Sequence, residues 1–132
     1  MQDRPTPEEL LSYARKVLLD SILPTTPDDK RIEVLMIASA MDMGRRAAAR
    51  GEAPLRTELI ALCKIYETDE PKSKNLQATV LHLNQQLVAD IRAGTFDPLD
   101  PRHTEVRDHL FETVCDKLRE SKPKHLKAER LV

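Results

Sequence analysis

The chain has 132 residues, 40% hydrophobic and 33% charged, with a formal net charge of -1. That length suits one domain and excludes the two-domain layout of many cofactor enzymes. The balance of 21 basic and 22 acidic residues excludes a global field for nucleic acid or an anionic membrane, and 3% aromatics without Trp exclude base-stacking platforms.

Pro and Gly punctuate the chain into about five segments in which apolar residues recur at three- and four-residue steps. This pattern predicts an all-α bundle of about five amphipathic helices, a single domain over residues 1–132. The first helix is predicted to open at Thr6-Pro7-Glu8-Glu9, where Thr6 caps, Pro7 suits the first helical position and Glu9 reaches back to the cap. Leu10, Leu11, Ala14, Val17, Leu18 and Ile22 follow on one face, and Pro24 ends the run.

Thr26-Pro27-Asp28-Asp29 repeats the opening signal for a second helix, with acids set against the partial positive charge of its first turn. From Ile32 to Met43 this helix is apolar on more than one side, as expected of a central helix, and Gly51 suits its end. A third helix is predicted from near Pro54 to Tyr66, and a polar connection from Glu67 to Lys74 separates it from a fourth, about Ser73 to Ala93, ended by Gly94. Asp100-Pro101 starts a fifth through Val106, Leu110, Val114 and Leu118, stopping before Pro123. Residues 122–132 form a basic tail that either docks or stays mobile, the second being the commoner behaviour of a terminus. Leu10, Leu35, Met36, Leu83, Leu87 and Leu110 are expected inside. The broad apolar faces of the second and fourth helices exceed what one small core covers, which predicts self-association as a homodimer.

Chemistry-bearing motifs are sparse. No GxGxxG, GxxxxGK[ST], GxSxG or HExxH pattern occurs, and no nucleophile-base spacing surrounds a serine or either cysteine. The expectation is therefore a protein that is not catalytic alone, holding no cofactor and no metal of its own. Cys63 and Cys115 lie in apolar-periodic helices and read as buried core thiols. Glu105, His109 and Glu112 share a helical face, which suits either a cation or, as the commoner case, a solvated ion-pairing stripe. The cluster Arg45, Arg46, Arg50 and Arg56 offers guanidinium forks for an anion such as a CoA phosphate; compensation of a helix C-terminus is the competing explanation. The first residues contain no apolar h-region, and the longest apolar stretch, Val34 to Met41 with Ser39 inside it, is far short of a membrane span, so a cytoplasmic location is expected.

Met1-Gln2-Asp3-Arg4-Pro5, Glu9-Leu10-Leu11, Ile91-Arg92-Ala93-Gly94, Lys117-Leu118 and Pro123-Lys124-His125-Leu126 together resemble a small bacterial all-helical family of unknown function with an MQDRP-type N-terminus. Its members are encoded beside aminoglycoside-phosphotransferase-like kinases and acyl-CoA dehydrogenases, and resemble the small companion protein of the hydroxyacyl-CoA kinase of levulinate breakdown. The resemblance implies a non-catalytic accessory subunit of a phosphotransferase-like kinase acting on a hydroxyacyl-CoA, with ATP and magnesium held by the kinase. It further implies partner contacts through Asp3, Arg4, Pro5, Pro123, Lys124, His125 and Leu126. Where the family has an Asn-Pro followed by an aromatic, this chain has Lys122-Pro123 and His125. The alternative expectation is a stand-alone, self-associating helical module that binds an acyl-type ligand or regulates an acyl-CoA dehydrogenase pathway.

Overall fold

The structure, a computed structural model, describes residues 4–71 and 75–129. Six α-helices and no strand occur among the described residues: α1 (Pro7–Val17), α2 (Arg31–Arg50), α3 (Ala53–Ile65), α4 (Leu76–Arg92), α5 (His103–Ser121) and α6 (Pro123–Ala128). The all-α class predicted from periodicity is the one observed. The helices pack as two compact units that divide between Gly51 and Glu52.

In the first unit, α1 begins at the predicted capping box: the Thr6 hydroxyl accepts from the Glu9 amide at 3.2 Å, and the Glu9 carboxylate accepts from the Thr6 amide at 2.8 Å. The helical path continues past Val17 as a π-helical turn over Leu18–Ile22 and a 3-10 turn over Leu23–Thr25. A further 3-10 turn, Asp28–Lys30, precedes α2, which carries no side-chain cap. The predicted start at Thr26-Pro27 is thus displaced, because Thr26 donates its hydroxyl proton backwards to the Ile22 carbonyl at 2.8 Å and serves the end of the preceding turn. α1 and α2 run antiparallel: Glu8 meets Arg45, a Cβ at Gly44 would lie 3.3 Å from Leu11, and Arg15 donates to the Ala38 carbonyl. Their seam buries Ala38 completely and leaves the outer faces of both helices open.

The second unit holds the larger core. Leu59, Leu62, Cys63 and Ile65 of α3 pack with Val80 and Leu87 of α4, Phe96 of the following turns and Val106 of α5. α3 contains Pro54 in its first turn, where a missing amide proton costs nothing. α4 is capped by Asn75, whose side-chain oxygen accepts from the Ala78 amide at 3.0 Å; the expected start near Ser73 lies outside the described residues. Gly94 ends that helix with φ +77°, a conformation other residues adopt at a cost. α6 packs on α5 and buries Leu126, which is 1% exposed, so the segment expected to be a mobile tail is helical through Ala128.

Burial departs from the expected core list at four of six positions. Leu87 is buried and Leu83 packs half-buried against the core, but Leu10, Leu35, Met36 and Leu110 are exposed. In α2 the cause is geometric: α1 covers one side of a helix that is apolar on several. In α5 Val106 and His109 are buried on one side and Cys115, half a turn round from Val106, on another, while Leu110 and Val114 between them stay exposed.

Candidate functional site

The arginine cluster resolves into ion pairs. Arg45 reaches Asp42 at 3.0 Å, one turn back on α2, and Glu8 of α1 at 3.4 Å, while Arg46 pairs with the other oxygen of Asp42. Burial pushes the Asp42 carboxyl up, but the hydrogen bonds from Arg45 and Arg46 outweigh it and hold the group below the usual carboxylate range. Two guanidinium charges therefore face two carboxylates, an arrangement suited to locking α1 onto α2. Arg50 lies half-buried at the end of the same helix. Arg56 belongs to the other unit, where it pairs with Glu52 at 3.6 Å across one exposed turn of α3.

The residues singled out for partner contacts are placed unevenly. Asp3 lies outside the described residues. Arg4 and Pro5 are exposed and joined by a cis peptide bond. At the other end, Lys124 and His125 are exposed, Pro123 is half-buried, and Leu126 is committed to the core.

Glu105, His109 and Glu112 share a side of α5 but do not form a solvated stripe. Glu105 pairs with Lys64 at 2.6 Å, which raises the lysine pKa, and Glu112 approaches Arg119 at 3.8 Å. His109 is buried rather than solvated, and its Nε2 finds no hydrogen-bond partner among the described residues. Burial lowers its pKa, opposed by the charge of Glu58. Among the described residues no group of His, Cys, Asp and Glu is arranged to hold a metal ion, and no helix is long and apolar enough to cross a membrane. Both cysteines are free and buried.

Two features emerge that sequence reading did not mark. The first is an open groove of about 530 Å³ in the second unit, lined by Cys63, Thr68, Asp69, Pro71, Ala78, Thr79, His82 and Leu83. The Cys63 thiol at its wall points to the Asp69 carbonyl at 3.9 Å. No local pattern announces the groove, because one wall comes from Cys63 of α3 and the connection that follows it and the other from the first turns of α4. The second is an outward stripe on α5 formed by Leu110, Phe111 and Val114, opposite the face that buries His109. Phe111, immediately beside Leu110, was the available signal that this helix is apolar on a second side.

Residues 24–125 match the family described as Domain of unknown function (DUF6285), and the chain belongs to that family. No curated protein and no solved structure matches it.

Proposed function

We propose that this DUF6285 protein acts by docking, as the non-catalytic accessory subunit of an aminoglycoside-phosphotransferase-like kinase that phosphorylates a hydroxyacyl-CoA in acid catabolism in the cytoplasm. ATP and magnesium belong to the kinase in this reading, and the present chain supplies a surface. The observation that carries it is the outward stripe of α5, where Leu110, Phe111 and Val114 are all exposed on a well-packed helix. A contiguous apolar patch centred on an aromatic side chain is the usual make-up of an interface core. The identity of the partner follows the resemblance at both ends of the chain, of which Arg4, Pro5, Lys124 and His125 stand exposed for contact.

The test measures product formation with the kinase alone, this chain alone and the mixture. The reading expects activity from the mixture only, and expects Phe111→Glu to abolish the stimulation while helical content stays unchanged. Arg45→Ala is expected to leave the acyl-CoA KM unchanged, since the Arg45 charge is already met by Asp42 and Glu8. Full kinase activity without this chain would end the reading.

The groove favours a second reading, a stand-alone, self-associating module that takes an acyl-type ligand. Its volume of about 530 Å³ falls within the range of small-molecule sites, and Leu83, Ala78 and Pro71 provide apolar wall. Binding of a short acyl-CoA by the purified chain, lost in Ala78→Trp, would favour this second reading over the first.

A further inference from the structure

α1 has 11 residues and buries none of them: Leu10, Tyr13 and Val17 are exposed, and Leu11 and Ala14 are half-buried. The helix it lies on is little better covered, with Ala38 buried and Val34 and Met41 half-buried on the same side of α2. Length does not explain the loose hold, since α6 has six residues and buries Leu126. Polar contacts fasten α1 instead, Glu8 to Arg45 at 3.4 Å near its start and Arg15 to the Ala38 carbonyl at 3.2 Å near its end. The Glu8 and Arg45 side chains are 45% and 33% exposed, so water and salt weaken their attraction. The path towards α2 then leaves the α-helical form twice, as a π-helical turn over Leu18–Ile22 and a 3-10 turn over Leu23–Thr25. Irregular turns of this kind are where helices hinge.

We propose that α1 is a releasable strap, hinged at the π-helical turn, that swings off α2 while the second unit stays folded. The Glu8–Arg45 pair is its latch. Closure covers Val34, Ala38 and Met41, and release bares them. An element with few buried apolar contacts opens at a free energy well below that of global unfolding, whereas a core containing the fully buried Leu62, Ile65 and Leu87 opens last. Because the latch is a partly exposed charge pair, rising ionic strength shifts the strap towards release. This inference rests on neither of the two functional readings above.

The test uses the full-length chain with Ala38→Cys, a small change that sets a thiol beneath the strap. Cys115, 1% exposed in the second unit, is the reference thiol. Both are labelled with Ellman's reagent under native conditions, and the modified thiol is identified by peptide mass. Position 38 is expected to react about tenfold faster than Cys115 or more, the scale set by local against global opening. Glu8→Gln should speed labelling at position 38 further, and should do so far less when Arg45→Gln is already present. Hydrogen exchange of the wild type reads the same opening without a substitution: the amides of α1 should exchange well before those of α3 and α4, and earlier still in about 0.5 M NaCl. Labelling at position 38 as slow as at Cys115, or α1 amides protected as long as those of α3, would overturn the strap. Equal acceleration by Glu8→Gln with and without Arg45 would overturn the latch.

Discussion

Tyr66, at the end of α3, donates its phenol proton to a carboxylate oxygen of Asp90 on α4 at 2.7 Å. The same ring meets Phe96 edge-on, with centroids 6.2 Å apart, and the Arg102 guanidinium lies 4.9 Å over the Phe96 face. Half of the chain's four aromatic side chains are thus spent on fixing the turns after α4 against α3.

Replacing Tyr66 by Phe keeps the ring contact and removes the hydrogen bond, leaving Asp90 half-buried without its donor. A loss of about 1–2 kcal/mol in urea unfolding is expected. Burial, and then the hydrogen bond to Asp90 and its charge, raise the Tyr66 pKa above its ordinary 10.0. A raised folded-state value means that the contribution is complete below pH 10 and declines as pH rises through the folded value. The gap between wild type and Tyr66→Phe should therefore be constant from pH 7 to 9 and narrow at higher pH.

Leu62→Ala and Leu81→Ala separate buried from exposed apolar positions on neighbouring helices. Leu62 is fully buried, and its truncation should cost about 2–5 kcal/mol. Leu81 is exposed, and its truncation should stay within about 0.5 kcal/mol. Equal losses at the two positions, read from denaturant midpoints at constant slope, would contradict the packing described for the second unit.

Gly94→Ala should be destabilising despite the higher helix propensity of Ala. The backbone at Gly94 has φ +77°, and a Cβ there would lie 3.0 Å from an Asp97 carboxylate oxygen. The left-handed conformation alone costs a non-glycine residue about 1–2 kcal/mol. Gly94→Ala combined with Asp97→Ala relieves the contact and not the backbone term, so thermal melts of the single and double variants separate the two contributions.

His109 makes the chain acid-sensitive in a defined direction. Its folded-state pKa is lowered by burial below the ordinary 6.5, so near and below pH 6.5 the unfolded chain binds the proton more readily than the folded one. Stability falls as pH drops through that window. His109→Leu fills the site with an apolar side chain that does not titrate. Its stability relative to wild type should rise between pH 7.5 and pH 5.5, the depressed Asp42 and Asp100 carboxylates contributing equally to both proteins.

Features that depend on a few neighbouring residues were legible in the sequence. The Thr6/Glu9 capping box, Pro54 in the first turn of α3, the stop at Gly94 and the helical period of every segment are decided within one or two turns by local hydrogen bonding and backbone sterics. Even here competition intervened at Thr26, where a hydroxyl able to cap forwards bonds backwards to Ile22.

Tertiary structure alone decided which apolar stripe is covered. Periodicity shows that Leu35 and Met36 share a helix with Val34 and Ala38, but α1 packs over one side only, so Ala38 is buried and Met36 is not. On α5 the expected line is covered at Val106 and open at Leu110, and His109 and Cys115 are buried instead, because α5 has two neighbours, α3 and α6. The groove beside Cys63 and the Lys64–Glu105 ion pair are likewise contacts between elements distant in sequence. Helix formation is set by interactions spanning three or four residues, whereas the choice of buried face is set by neighbours whose arrival no local pattern encodes.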